Sequence, residues 1–262
     1  MNVFDFRKMK SAGRRISMTT CYDYWSARIL DQTPIDALIV GDSAAMVMHG
    51  HESTLPATPD MLAIHTQAVA RGAHNKFIIA DMPFLSFRKG LGPAIDCVQQ
   101  LVRAGANAVK LEGVGGHDDV VKHIVQSGVP VMGHLGLTPQ AVNSLGGFKV
   151  QGVGAEAAAD LVEAAQRLEA VGCFSLVLEA VPTKTAQQIT ENVQIPTIGI
   201  GAGPHCDGQV LVLHDLAGFN RDFKARFVRM FEDGHGLLTR AVEEFDRTVK
   251  NGSFPSEAES YE

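Results

Sequence analysis

Six apolar runs of the chain each end on a polar residue: Val40-Gly41-Asp42, Ile79-Ala80-Asp81, Lys110-Leu111-Glu112, Met132-Gly133-His134, Leu178-Glu179 and Leu213-His214-Asp215. Buried parallel strands read as near-continuous apolar runs, and a regular βα alternation gathers their ends on one rim, where distant acids share one ligand. Side chains two apart on a strand face the same way. On that rule Lys110 and Glu112 point together, as do Val40 and Asp42, inward at a barrel mouth. An inward Lys is costly alone, but beside Glu112 and neighbouring acids it is paired and still able to meet an anion. The expected rim holds Asp42, Asp81, Glu112 and Glu179 around Lys110. Four carboxylates in one small space repel, which favours a bound cation or a shifted pKa. Oxygen donors without a Cys or His cluster suit a hard ion, and Mg²⁺ is the commonest that keeps open positions for a substrate.

Each residue also has a plainer reading. A single acid at a strand end is more often a helix cap or a surface residue than a ligand, so the weight lies on four acids and not on Asp42 alone. His134 reads equally as a packed core histidine and as a participant. His49, His51, His205 and His214 sit in polar loops or at strand ends, where surface or hydrogen-bonding roles are expected. Gly199-Ile200-Gly201-Ala202-Gly203 resembles a phosphate-cradling loop but lacks the Lys-Ser/Thr ending; it is read as close backbone approach to a ligand.

The elements that must position these residues follow from periodicity. Strands are expected at Ile16-Cys21, Ala37-Gly41, Phe77-Ala80, Ala108-Leu111, Val129-Gly133, Phe174-Leu178, Pro196-Ile200 and Val210-Leu213. Between them, helical spacing covers Pro59-Arg71, Ala94-Ala104, Asp118-Gln126, Ala155-Ala170 and Thr185-Asn192, and two more helices, Asp222-Glu232 and His235-Lys250, follow the last strand. Strands separated by one helix each must run parallel. Gly105 precedes Glu112 by seven residues and Gly172 precedes Glu179 by seven, while Pro130 to Gly133 and Pro196 to Gly199 are both three apart. One two-strand unit is thus used twice, which suits a closed eight-stranded barrel ahead of an open doubly wound sheet.

Composition agrees with a single (β/α)₈ barrel domain over residues 1–262, since apolar residues make up 45% of the chain and no linker-like stretch divides it. The net charge of −6 with scattered basic residues speaks against nucleic acid as a partner. No apolar run approaches a membrane span, and Met1 to Arg15 lacks the apolar core of a signal peptide, so no membrane partner and a cytoplasmic location are expected. Cys21, Cys97, Cys173 and Cys206 form no paired spacing; they read as reduced, mostly packed thiols, with neither disulfide nor zinc.

Nine motifs then fall in one order: Thr20-Cys21-Tyr22-Asp23-Tyr24, Gly41-Asp42-Ser43, Gly50-His51-Glu52-Ser53-Thr54-Leu55-Pro56, Ala80-Asp81-Met82-Pro83-Phe84, Val109-Lys110-Leu111-Glu112-Gly113, Gly133-His134-Leu135-Gly136-Leu137-Thr138-Pro139-Gln140, Leu178-Glu179-Ala180-Val181-Pro182, Gly199-Ile200-Gly201-Ala202-Gly203 and Asp207-Gly208-Gln209-Val210-Leu211-Val212. Together they resemble the ketopantoate hydroxymethyltransferase family, from about Phe6 to the Ser260-Tyr261 tail. Nine spaced motifs in one order are far more specific than any one of them. The resemblance implies a barrel of the phosphoenolpyruvate/pyruvate superfamily, Mg²⁺ dependence, and transfer of a hydroxymethyl group from 5,10-methylenetetrahydrofolate to 3-methyl-2-oxobutanoate in pantothenate and coenzyme A synthesis.

Carried over by position, the resemblance makes Asp42, Asp81 and Glu112 the metal-site acids, with Glu112 acting directly or through water. Ser43 and Lys110 become substrate contacts alongside Asp42 and Asp81, and Glu179 the catalytic base. It also implies a homodecamer, a pentamer of dimers. Two departures stand out: Ala44-Ala45 replaces the usual Leu-Gly, and His49 replaces a frequent Gln. The rival readings are another Mg²⁺ enolate enzyme on the same barrel, such as a carbon–carbon lyase or an aldolase using a free aldehyde, and a noncatalytic barrel acting as a binding or assembly protein.

Overall fold

The computed structural model describes residues 1–221 and 225–261. Eight strands, β1 (Ile16–Thr20), β2 (Ala37–Val40), β3 (Phe77–Asp81), β4 (Ala108–Glu112), β5 (Val131–Gly136), β6 (Ser175–Glu179), β7 (Thr197–Ile200) and β8 (Gly208–Leu211), pair in parallel in sequence order. β8 returns to β1, from Ile16 opposite Gly208 to Thr19 opposite Leu211. The sheet is therefore a closed barrel and not a doubly wound open sheet.

Alternation along the strands sorts side chains into two cores. Leu38, Val40, Ala80, Leu111 and Leu178 pack with helix residues such as Leu62, Leu101 and Leu168, whereas Ile39, Ile79, Met132, Val177 and Ile198 form a second cluster, inside the barrel. Val40 thus faces the helical layer. The expected pairing of Val40 with Asp42 on the inner face is corrected on this point: the inward positions of β2 are Ala37 and Ile39, and Asp42 lies past the last strand residue, where alternation no longer governs direction. At the opposite end the helix Val3–Ser11 inserts Phe6, fully buried, edge-on against Phe77 and Phe174 at 5.5 and 5.2 Å between centroids.

The helices Pro59–Gly72, Leu91–Arg103, Asp118–Gln126, Ala155–Ala170, Thr183–Asn192 and Gly234–Lys250 lie where periodicity placed them, with ends shifted by a few residues. The helices Val3–Ser11 and Tyr24–Asp31, capped by Asn2 and Asp23 on backbone N–H groups, lie outside the expected set, as do the one-turn helices Ala44–Val47 and Val142–Leu145. In the helix expected at Asp222-Glu232, Asp222 to Lys224 fall outside the described residues, and 225–232 hold turns and irregular chain. Two strands shift register. β5 starts at Val131, after Pro130, which has no N–H to donate, and runs on through His134. β8 ends at Leu211, and Leu213–Leu216 is one helical turn, so His214 and Asp215 do not terminate a strand.

The repeated unit is real in the backbone. Gly105 and Gly172, each ending a helix, have φ of 113° and 101°, values an L side chain rarely adopts, and each backs onto the preceding helix layer at Ala70 or Val125.

The chain divides into two compact units, Met1–Val212, which holds the barrel, and Leu213–Glu262. In the second, Asp233 caps the helix Gly234–Lys250, whose Leu238, Val242, Phe245 and Val249 are exposed at spacings of four, three and four. Among the described residues no helix is long and apolar enough to cross a membrane. The four cysteines are buried free thiols.

Candidate active site at the barrel mouth

Register builds the site. Asp81 of β3 lies opposite Lys110 of β4, and Glu112 of β4 opposite His134 of β5, so neighbouring inward side chains at the strand ends meet. Lys110 Nζ is 3.0 Å from Asp81 Oδ2, with both side chains buried. The Asp42 backbone N–H donates to the same Asp81 oxygen at 3.0 Å. Oδ1 of Asp81 is buried without a hydrogen-bond partner among the described residues.

Glu112 and Glu179 are joined through the histidine between them. His134 Nδ1 is 3.4 Å from Glu112 Oε1, and Nε2 is 3.2 Å from Glu179 Oε2. Lys110 Nζ lies 3.5 Å from His134 Nδ1. Above them Gln140 donates its side-chain amide to Asp42 Oδ2 (2.7 Å) and its backbone N–H to Glu112 Oε2 (3.0 Å). Ser43 Oγ, one residue past Asp42, is 2.8 Å from the Tyr22 hydroxyl. Gly41 keeps this corner open, because a Cβ there would lie 2.7 Å from Ser43 Oγ.

Electrostatics follow from dryness and crowding. Burial, then Asp81 and Glu112, push the Asp42 carboxyl well above the usual carboxylate range, against the pull of Lys110 and the Gln140 donor. Burial also raises Asp81, although Lys110 and the Asp42 N–H oppose it. Burial disfavours the Lys110 ammonium, but Asp81, Glu112 and Asp42 outweigh it and push its pKa above the ordinary value. For His134, burial and Lys110 work against the proton, yet Glu112 and Glu179 prevail and raise it to about 9.

Asp42, Asp81, Lys110 and Glu112 therefore gather in one mouth, as the sequence predicts. Glu179 joins them through His134 and not by contact with Lys110. Ser43 sits at the edge. His214 and Asp215 belong to the other unit. The Gly199–Gly203 run ends β7 and opens the turn towards β8, pinned by Gln209 Nε2 on the Gly203 carbonyl at 3.0 Å. His49 takes a hydrogen-bonding place, its Nε2 2.8 Å from His65 Nε2. Sequence reasoning gave Gln140 and Tyr22 no role. The available signal was their position, each a polar residue just past an apolar strand and hence at the rim.

Among the described residues no three His, Cys, Asp or Glu side chains converge on one point as ligands. The unpartnered Asp81 Oδ1 and the carboxyl of Asp42, which resists ionisation without a nearby cation, still form an oxygen-only set suited to a hard ion.

Solved structures with this architecture include phosphonopyruvate hydrolase in complex with oxalate and Mg++ (TM-score 0.62, 14% identity, covering 99% of this chain and 93% of that one). Another is 2,3-dimethylmalate lyase, a member of the PEP mutase/isocitrate lyase superfamily (TM-score 0.61, 16% identity, 97% and 89% covered). Strand order and these likenesses thus define a (β/α)₈ barrel, with an acid-lined mouth at the strand ends. Sequence narrows the class: residues 1–257 match the profile of ketopantoate hydroxymethyltransferase, and the chain belongs to that family of transferases. Curated relatives include the 3-methyl-2-oxobutanoate hydroxymethyltransferases of Bdellovibrio bacteriovorus (54% identical over 259 residues; 99% of this chain, 98% of the relative) and Coxiella burnetii strain CbuG_Q212 (53% over 256; 97% and 96%).

Proposed function

We propose that this barrel mouth transfers a hydroxymethyl group from 5,10-methylenetetrahydrofolate to 3-methyl-2-oxobutanoate, consuming one water and giving 2-dehydropantoate and tetrahydrofolate, as a step of pantothenate and coenzyme A synthesis. The observation that carries the reading is the buried set Asp42, Asp81, Lys110, Glu112 and His134, with the half-buried Glu179 paired to His134, in a chain of this family. Asp42 and Asp81 would hold Mg²⁺, with Glu112 directly or through water. When bound, the ion supplies a Lewis acid where charge develops on the ketone oxygen.

Glu179 removes the proton from the carbon beside the ketone. It is the acid of the set least enclosed, its side chain 18% exposed against 4% for Glu112, so a substrate reaches it from the mouth. His134 holds Glu179 in place from below and shares its second nitrogen with Glu112, which fixes the ring between two acids. Lys110, still charged, receives the substrate carboxylate together with Ser43. The carbanionic carbon then attacks the one-carbon unit of the folate. A positioned base contributes about 10²–10⁴-fold, roughly 3–5 kcal/mol of barrel-mouth catalysis.

We place the enzyme in the cytoplasm as a homodecamer. The buried free thiols are consistent with a reducing compartment, and the exposed apolar stripe of Gly234–Lys250 is consistent with self-association. Purified protein given 3-methyl-2-oxobutanoate and methylenetetrahydrofolate should form product with Mg²⁺ and none after EDTA. Turnover that ignores the folate but accepts a free aldehyde, or cleaves a carbon–carbon bond, would replace this reading with the aldolase or lyase alternative. No turnover at all would favour a noncatalytic barrel.

A further inference from the structure

Gln140 stands in the 3₁₀ turn Pro139–Ala141 just after β5, and only 7% of it is exposed. Its side-chain amide has two N–H donors, and both are used: one on Asp42 Oδ2 at 2.7 Å, the other on the Met82 carbonyl at 3.0 Å. Its backbone N–H takes Glu112 Oε2 at 3.0 Å. One residue thus reaches the ends of β2, β3 and β4 from the end of β5.

Two of the three contacts constrain carboxylates, each with two oxygens to offer. With Oδ2 of Asp42 and Oε2 of Glu112 engaged, each group is held in one orientation, and the second Glu112 oxygen, Oε1, faces His134 Nδ1 at 3.4 Å. Two neutral donors also meet negative charge where Asp42, Asp81 and Glu112 repel one another, and they do so without adding a charge that would compete with a bound cation. A Lys in that place would neutralise the acids and displace the ion; an apolar residue would leave Asp42 to face the repulsion unaided.

We propose that Gln140 is a positioning residue that sets the orientation of Asp42 and Glu112 for a divalent cation, and that it ties the segment after β5 across the mouth as it does so. The inference rests on the metal site of the proposed function. Its observable is metal affinity, which is read without turnover.

The test is a Mn²⁺ titration followed by electron paramagnetic resonance, on wild-type protein and on Gln140→Met, which keeps side-chain length and the backbone N–H on Glu112 but removes the side-chain donors to Asp42 and Met82. A hydrogen bond to a charged group is strong enough that its loss should weaken Mn²⁺ binding about tenfold or more. Turnover should show the same change as a raised apparent KM for Mg²⁺, with kcat largely recovered at saturating metal. Thermal unfolding of the metal-free variant checks that it folds. Gln140→Glu, which retains shape but can donate only when protonated, provides a second variant; it should alter the bound Mn²⁺ spectrum. Equal affinity, unchanged spectrum and unchanged KM in folded variants would overturn the inference while leaving the metal site intact. Wild-type protein that binds no Mn²⁺ would overturn both.

Discussion

Lys110 and Asp81 face each other at 3.0 Å in a dry mouth, so neither can lose its partner without leaving a buried charge behind. Removing one member of such a pair costs about 3–5 kcal/mol. Asp81→Ala should therefore lower thermal stability and also weaken Mg²⁺ binding; a metal dependence of turnover identical to wild type would remove Asp81 from the ligand set. Glu179 has a separate task. Glu179→Gln should keep Mg²⁺ affinity while slowing proton exchange at the substrate carbon by about two decades or more; unchanged exchange would take the role of base away from it. His134 gives a pH signature. Its folded-state pKa of about 9 exceeds the ordinary 6.5, so its stabilisation is complete below about pH 6.5 and is lost as pH rises through about 9. The urea midpoint of metal-free protein should fall across that window, and fall less in His134→Gln.

At the scale of elements, the strands and most helices were legible because buried parallel strands are apolar on both faces and helices carry a 3.6-residue stripe. Direction was less legible than existence. The two-residue rule puts Val40 and Asp42 on one face, but it stops applying where β2 ends, at Val40. Likewise Leu213 looked like strand because it continues an apolar run, but pairing of β8 with β1 is complete at Leu211. His134 was legible as a candidate and not as a link, because a single residue does not reveal which acids lie across the register from it. The junction of β5 and β6 depends on Gly136, at φ 91°, where a Cβ would overlap the Glu179 carbonyl oxygen and Val181. Gly136→Ala must then shift the strand end that carries Glu179. A loss of about 1–3 kcal/mol is expected, or roughly 2–12 °C in Tm, together with lower activity measured below the new Tm. Wild-type Tm and activity would show that the two strand ends have slack.

For the whole molecule, the barrel gathers acids that no local motif contains. Its fold follows from alternation and length, whereas the identity of the substrates follows from the family and not from the shape. The mouth carries enough uncompensated acid that a divalent ion should stabilise the protein: at about 100 times Kd the gain is roughly 2.7 kcal/mol, equivalent to about 5–10 °C in Tm at this size. Asp42 and Asp81 are both held above the usual carboxylate range, so the gain should grow as pH rises and their protons are lost to solvent, leaving carboxylates for the ion. Scanning calorimetry with Mg²⁺ and with EDTA at two pH values tests it. The most direct measurement is solvent deuterium exchange, followed by proton NMR, at the carbon beside the ketone of 3-methyl-2-oxobutanoate, without folate. If the gathered carboxylates seat a cation and a 2-oxo acid together, that proton exchanges in the presence of protein and Mg²⁺ and stops when EDTA removes the ion. Exchange at the same rate with EDTA, or no exchange with saturating Mg²⁺, would contradict the account.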